Sequence, residues 1–215
     1  MVGYARPVAD LPIDLEEGLS ETLTAALDPY DKIPRGLDAL GPIAGRDVLL
    51  IGGGPRRAAQ LGRLGAASVA EADAVAPGLA FTDAAFDSAV SFWSAFRGVD
   101  PAEVAETERV LRPGGRLLIV HDYGRDDVSR LRGERPEYGS WGRRDGPFLR
   151  GGFRIRVLHA FWVFESVAAA AAFLEAAFGD AGREVAAGLK RPRLTYNVAV
   201  YHRTRPDGDS VAAAR

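Results

Sequence analysis

The hydrophobic positions of this chain change period as it runs. Leu15, Leu19, Leu23 and Leu27 fall four apart, the spacing of one helical face, and predict an N-terminal helix. A shorter helix is expected from about Pro34 to Leu40, before Gly41 and Pro42 break the chain. Val48-Leu49-Leu50-Ile51 is then apolar without interruption, as in a parallel strand covered on both faces. Gly52-Gly53-Gly54-Pro55 ends that run, and a helix from Pro55 to Gly65 follows. A weaker strand over 67–72 leads into a loop over 74–87, and Ser88 to Phe92 is again apolar. Asp100-Pro101-Ala102-Glu103 reads as a helix start, with Asp100 as cap, Pro101 in the first position and Glu103 reaching back. This helix runs to Leu111, Pro113-Gly114-Gly115 stops it, and Arg116 to Val120 makes the next strand.

Beyond residue 150 the pattern alters. Phe153, Ile155 and Val157 alternate with Arg154 and Arg156, a period of two. Ser166 caps a helix through Phe178, Gly179 ends it, and a second helix covers Asp180 to Leu189 before a final strand from Tyr196 to Tyr201. Alternating strands and helices predict a doubly wound, mostly parallel α/β sheet with an antiparallel C-terminal pair at one edge. The expected organisation is an N-terminal helical segment over 1–44, loose at 1–10, an α/β domain over 45–205 and a disordered tail over 206–215.

Composition narrows the chemistry. A chain of 215 residues with 47% hydrophobic and 26% charged positions suits one globular domain with appendages. The net charge of −2 gives no electrostatic reason to bind nucleic acid or an anionic membrane. With no cysteine there is no disulfide, thiolate nucleophile or Cys-based metal site, and His121, His159 and His202 are too scattered to suggest another metal. No signal pattern or bilayer-length apolar run is present, so a cytoplasmic protein is expected. Nothing in the sequence speaks to oligomeric state.

The glycine turn is the most informative feature. Glycines after a buried strand let the backbone approach a ligand, and the helix that follows offers N–H groups at its N-terminus. The same glycines also serve simply to pack helix against strand. Glu71 and Asp73 close the next strand ~20 residues on, where an acidic residue can hold ribose hydroxyls; the alternative is a solvated loop pair. Phe92 and Trp93 end the following strand, where they either shape a pocket or belong to the core. His121, Asp122 and Tyr123 end the next one, at the edge where open α/β sheets bind ligands. His121 has the intrinsic pKa of a general base, with Asp122 to orient it, or the group is a capped strand end. The arginine-rich segment from Arg125 to Arg156 follows directly, with Tyr138 and Trp141 available to cover an acceptor if it folds back as a lid. Its interleaved carboxylates argue against RNA.

Several of these residues together resemble the class I S-adenosylmethionine-dependent methyltransferases of the small type 11 kind. The resemblance rests on Asp47 to Pro55, on Leu79 to Ser91, on Val99-Asp100-Pro101 and most specifically on Leu111-Arg112-Pro113-Gly114-Gly115-Arg116-Leu117-Leu118-Ile119. It implies a Rossmann-like fold, S-adenosylmethionine over Gly52, Gly53 and Gly54, a small-molecule methyl acceptor and no metal. Three departures accompany it. Leu50 stands where the family carries an acidic residue, Arg56 stands where it keeps a glycine, and one strand–helix unit is missing from the middle. A short right-handed crossover would then put the 67–73 strand beside the first strand, giving a six-stranded sheet in the order 2-1-4-5-7-6 of the family's naming. The same departures open a rival reading, a catalytically inactive pseudoenzyme acting as a binding or assembly partner. A nicotinamide-binding protein is a third reading, which the Pro113-Gly114-Gly115 signature disfavours.

Overall fold

Four consecutive residues of the first strand, Val48 to Ile51, are fully buried. That explains why the run carries no polar side chain: each face of the strand meets its own core. Val48 and Leu50 join one cluster with Val90, Leu118 and Val200, while Leu49 and Ile51 join another with Ala89, Ile119 and Tyr201. Complete burial of each such side chain is worth roughly 1.5–3 kcal/mol.

The computed structural model describes residues 11–135 and 137–207; the expected loose start at 1–10, and the expected tail from 208 onward, lie outside the described residues. The chain begins with α1 (Glu17–Ala26) and α2 (Lys32–Leu40), then β1 (Asp47–Ile51), α3 (Gly54–Arg63) and β2 (Ser68–Ala72). It continues through β3 (Phe86–Phe92), α4 (Pro101–Val110), β4 (Leu111–Asp122), α5 (Asp127–Arg132) and α6 (Pro147–Arg150). It closes with β5 (Arg154–Val163), α7 (Val167–Ala187) and β6 (Arg193–Thr204). Gly179, with φ 58° and ψ −130°, is non-helical and divides α7 into two helices meeting at a kink, the expected pair. Among the described residues no helix is long and apolar enough to cross a membrane.

The six strands lie in the order β2-β1-β3-β4-β6-β5, the order expected with one strand–helix unit missing. β1, β2, β3 and β4 are parallel; β6 runs antiparallel to both β4 and β5, one place in from the β5 edge. Only α3 separates β1 from β2, and the chain from β2 to β3 holds no regular element. The larger core takes in residues of α1, α2, α3, α5 and α7, and the smaller one is covered by α4 and by residues 141–153. The N-terminal helices thus share a core with the sheet.

The Arg-Pro-Gly-Gly signature works at the end of the sheet away from the strands' carboxyl ends. Arg112 bridges Asp47 at 2.9 Å and Asp87 at 2.8 Å, tying the starts of β1 and β3 together. Gly114 has φ +74°, and a Cβ at Gly115 would come within 2.7 Å of the Arg112 carbonyl. Asp100 caps α4 as expected, accepting from Ala102 N at 2.8 Å. Glu103 does not complete a capping box: its Oε2 accepts from Phe96 N at 3.1 Å instead. Ser166 caps α7 by accepting from Ala169 N at 3.0 Å.

Candidate functional site

A cavity of about 1190 Å³ opens at the carboxyl ends of β1, β2 and β3. Gly52, Gly53 and Gly54 form one wall, Glu71 and Asp73 its rim, and Trp93 to Ala95 the facing wall. The structure therefore brings most of the expected cofactor residues to one place.

The glycine turn has two reasons to be glycine. Gly52 has φ +68°, and its N–H donates to the Ala72 carbonyl at 2.7 Å. A Cβ there would lie 2.5 Å from Ser94 Oγ, which itself donates to the Ile51 carbonyl at 3.0 Å. Packing against the end of β3 thus demands Gly52 before any ligand does. Gly53 precedes α3 and no side chain caps that helix, so its first turn meets the cavity as bare backbone. A Cβ at Gly53 would stand 2.5 Å from Leu50 Cδ1. Leu50, in the position where an acidic residue is expected, is a buried apolar plug beneath the turn. Arg56 turns away toward α1, where its guanidinium donates to Thr24 Oγ1 at 3.4 Å and to the Thr24 carbonyl at 3.2 Å.

Glu71 and Asp73 are exposed at the end of β2, and among the described residues neither side chain makes a hydrogen bond or ion pair. Phe92 is completely buried and does not line the cavity, which places it in the core. Trp93 does line it, as do Arg97 and Glu103.

The facing wall is strained. Trp93 on that wall, and Phe96 and Val99 in the loop that follows it, have φ of 52°, 62° and 59°. A β-branched residue in that region is a genuine outlier, and each such residue costs about 1–3 kcal/mol that its surroundings must offset. Several bonds supply the offset. Trp93 N donates to the Val120 carbonyl at 2.8 Å and Trp93 Nε1 to Asp122 Oδ1 at 3.1 Å. Arg97 donates to the Trp93 carbonyl at 3.2 Å and pairs with buried Glu137.

Asp122 sits behind this wall. Its carboxylate accepts from Trp93 Nε1, Tyr196 OH and Arg132, so both oxygens are engaged, and it does not reach the cavity. Burial pushes its pKa up, while the Arg132 guanidinium and the Tyr196 hydroxyl pull it back. His121 faces the opposite side of β4. It is fully buried, 5.0 Å edge-on to Trp141, with Nε2 3.1 Å from the Ala95 carbonyl. Burial, reinforced by Arg97, drives its pKa down to about 3. The pair expected to orient one another thus points to two faces of one strand, because neighbouring strand residues alternate.

Tyr123, Tyr138 and Trp141, expected against an acceptor, lie off the cavity. Trp141 is buried in the smaller core, 5.6 Å from Phe148, under the sheet rather than over its end. Among the described residues of the segment from Arg125 to Arg156, only Leu131, Arg132 and Arg135 reach the cavity. The covering comes instead from Leu11 to Leu15 and from Ala177 and Phe178, just before the α7 kink. The signals for these were faint: Leu11, Ile13 and Leu15 alternate with Pro12 and Asp14, and Gly179 follows Phe178.

No protein-family model matches the chain, and no curated protein matches it. Solved structures do. The YcgJ protein of Bacillus subtilis aligns with a TM-score of 0.51 at 15% identity, over 83% of this chain and 100% of that one. A putative type II methyltransferase from Anaeromyxobacter dehalogenans aligns with a TM-score of 0.50 at 21% identity, over 80% of this chain and 95% of that one. At these identities the likeness establishes the fold, a Rossmann-like methyltransferase fold.

Proposed function

We propose that the chain is an S-adenosylmethionine-dependent methyltransferase acting on a small-molecule acceptor. The observation that carries this reading is the convergence, on one cavity in this fold, of an uncapped helix N-terminus, a glycine turn and two carboxylates without a partner among the described residues. Those features suit a nucleoside cofactor. Glu71 and Asp73 would accept from the ribose hydroxyls, the turn at Gly53 and Gly54 would lie against the amino-acid portion, and Trp93 would pack on the far side. The cofactor supplies a methyl group activated on a sulfonium.

The protein's part is positioning and exclusion of water. Leu11, Ile13, Leu15 and Phe178 cover the cavity with apolar surface, which favours a small acceptor over a macromolecular one. His121 carries no proton to or from the acceptor in this reading, since it is buried away from the cavity and neutral. Asp122 holds Trp93 and Arg132 in place and is a positioning residue.

Leu50 supports a second reading, a pseudoenzyme. Its side chain fills the space under Gly53 that a carboxylate would otherwise share with the cofactor. Titration calorimetry with S-adenosylhomocysteine separates the two. The proposed function expects saturable binding that Asp73→Asn weakens; no heat and no thermal shift at large ligand excess would leave the pseudoenzyme standing.

A further inference from the structure

We infer that the arginine wall of the cavity is a subsite for an anionic group, a carboxylate or phosphate, carried by the methyl acceptor. This rests on the methyltransferase reading above and names the class of its substrate. Charge is segregated across the cavity. Asp14, Glu71 and Asp73 belong to the side of the N-terminal segment and β2; Arg97, Arg132 and Arg135 belong to the side beyond β3 and β4. Glu103 is the one carboxylate on the arginine side of the lining, and its Oε2 is taken by Phe96 N.

The arginines are held from behind. Asp122 pairs with Arg132 and Glu137 with Arg97, yet both carboxylates are buried and neither lines the cavity. Each guanidinium carries five donors in a fixed fork, more than a single back-side pair uses. Arg132 shows this most clearly. Its side chain is only 6% exposed, it lines the cavity, and its Nε has no hydrogen-bond partner. A buried, unpartnered donor is costly unless something accepts from it. Arg135 is exposed beside it and makes no ion pair among the described residues. Asp122, Glu137 and Glu103 balance the three guanidiniums in charge, so what the wall offers an acceptor is donors without a partner among the described residues, on Arg132 Nε and on Arg135. A planar or tetrahedral oxyanion satisfies such an array in a way a neutral acceptor does not.

The ribose carboxylates lie at the β2 end of the sheet and the arginines beyond β4, with the glycine turn between them. A cofactor anchored at Glu71 and Asp73 therefore puts its reacting end toward the arginines, on the acceptor's side. The other source of an anion is the cofactor's own carboxylate, and the experiment separates the two. Binding of inorganic phosphate and of benzoate is measured by titration calorimetry, with and without S-adenosylhomocysteine, for the native chain and for Arg135→Glu. Arg132→Ala is added where it folds, since it strands Asp122.

The expected result is that one or both anions bind alongside S-adenosylhomocysteine. Arg135→Glu then weakens them tenfold or more and changes S-adenosylhomocysteine binding less than twofold. If Arg135→Glu instead weakens S-adenosylhomocysteine tenfold and leaves 5′-methylthioadenosine, which lacks the carboxylate, unchanged, the arginines hold the cofactor and the inference falls. If S-adenosylhomocysteine binds but neither anion does, the inference falls and the methyltransferase reading stands. If the anions bind in an Arg135-dependent way and S-adenosylhomocysteine does not, the anion subsite stands and its assignment to a methyl acceptor falls with the methyltransferase reading.

Discussion

The two walls of the cavity are built on opposite principles. The wall at β1 and β2 is backbone and small residues: three glycines, Ala72, Ala74 and two exposed carboxylates without partners among the described residues. The wall at β3 and β4 is a buried polar network in which Asp122, Arg132, Trp93, Tyr196, Arg97 and Glu137 bond to one another around a strained backbone, with Arg132 Nε left over. The first wall costs little to build and offers generic backbone contacts. The second stores strain and fixes side chains, the expected signature of the wall that must discriminate. If this contrast is right, substitutions behind the second wall should cost folding free energy, and substitutions on the first should cost binding alone.

Asp122→Ala should show the largest effect. It leaves the Arg132 guanidinium buried without its counter-charge and removes the acceptor of Trp93 Nε1 and Tyr196 OH. Breaking a buried pair from one side costs about 3–5 kcal/mol. Urea unfolding would report it as a lower midpoint. A loss under about 1 kcal/mol would mean that the wall is not held this way.

His121 should make stability depend on pH. Its pKa is about 3 in the folded chain against an ordinary value of 6.5. Between those values the unfolded chain binds a proton that the folded chain does not, so stability falls as pH falls. The stabilisation is complete above about pH 6.5 and is lost on the way down toward pH 3. The slope approaches about 1.4 kcal/mol per pH unit only below the unfolded pKa, so the drop from pH 6.5 to 4.5 is about 2 kcal/mol. His121→Leu should flatten that slope relative to the native chain. Parallel curves for the two proteins would show that His121 is protonated as readily folded as unfolded.

The sequence carried the first wall far better than the second. Strand runs such as 47–51, the glycine turn and the Arg112-Pro113-Gly114-Gly115 signature are local: each residue's role depends on neighbours a few positions away. The strand order followed from crossover handedness once the short middle was noticed, and Glu71 and Asp73 followed from the strand ends. The second wall is assembled from residues far apart in sequence. Asp122 meets Tyr196 from β6 and Arg97 meets Glu137 from the segment after α5, pairings that no spacing reveals. Trp141 and Tyr138 were expected over the cavity because their segment follows β4, but an apolar ring goes where core is available. The core on the α4 face of the sheet took Trp141. His121 and Asp122 show the limit most sharply: adjacency in sequence suggested a catalytic pair, and strand alternation separates them.

Gly52→Ala tests the turn as structure. The new Cβ would stand 2.5 Å from Ser94 Oγ on a backbone at φ +68°. A loss of about 1–3 kcal/mol of stability is expected from the backbone strain, and Ser94→Gly in the same chain should return only the part due to contact. Full recovery would show that φ at Gly52 costs nothing, and no loss at all would show that the turn relaxes freely.

The smallest effect on folding, and the sharpest test of the contrast, belongs to the rim. Glu71→Gln and Asp73→Asn change two exposed side chains that contact no partner among the described residues. Surface changes of this kind usually stay within about 0.5 kcal/mol in stability. If either carboxylate receives the ribose hydroxyls, the matching variant should weaken S-adenosylhomocysteine by about 1–3 kcal/mol, the worth of a hydrogen bond to a charged group. The two readouts must separate for the contrast to hold: unfolding midpoints unchanged, calorimetric affinity reduced. A variant that loses stability as well would mean that the β2 rim is part of the fold's own polar network. Unchanged affinity in both would return the pair to solvated loop and leave the glycine turn, with Asp14 of the N-terminal segment, to hold a cofactor.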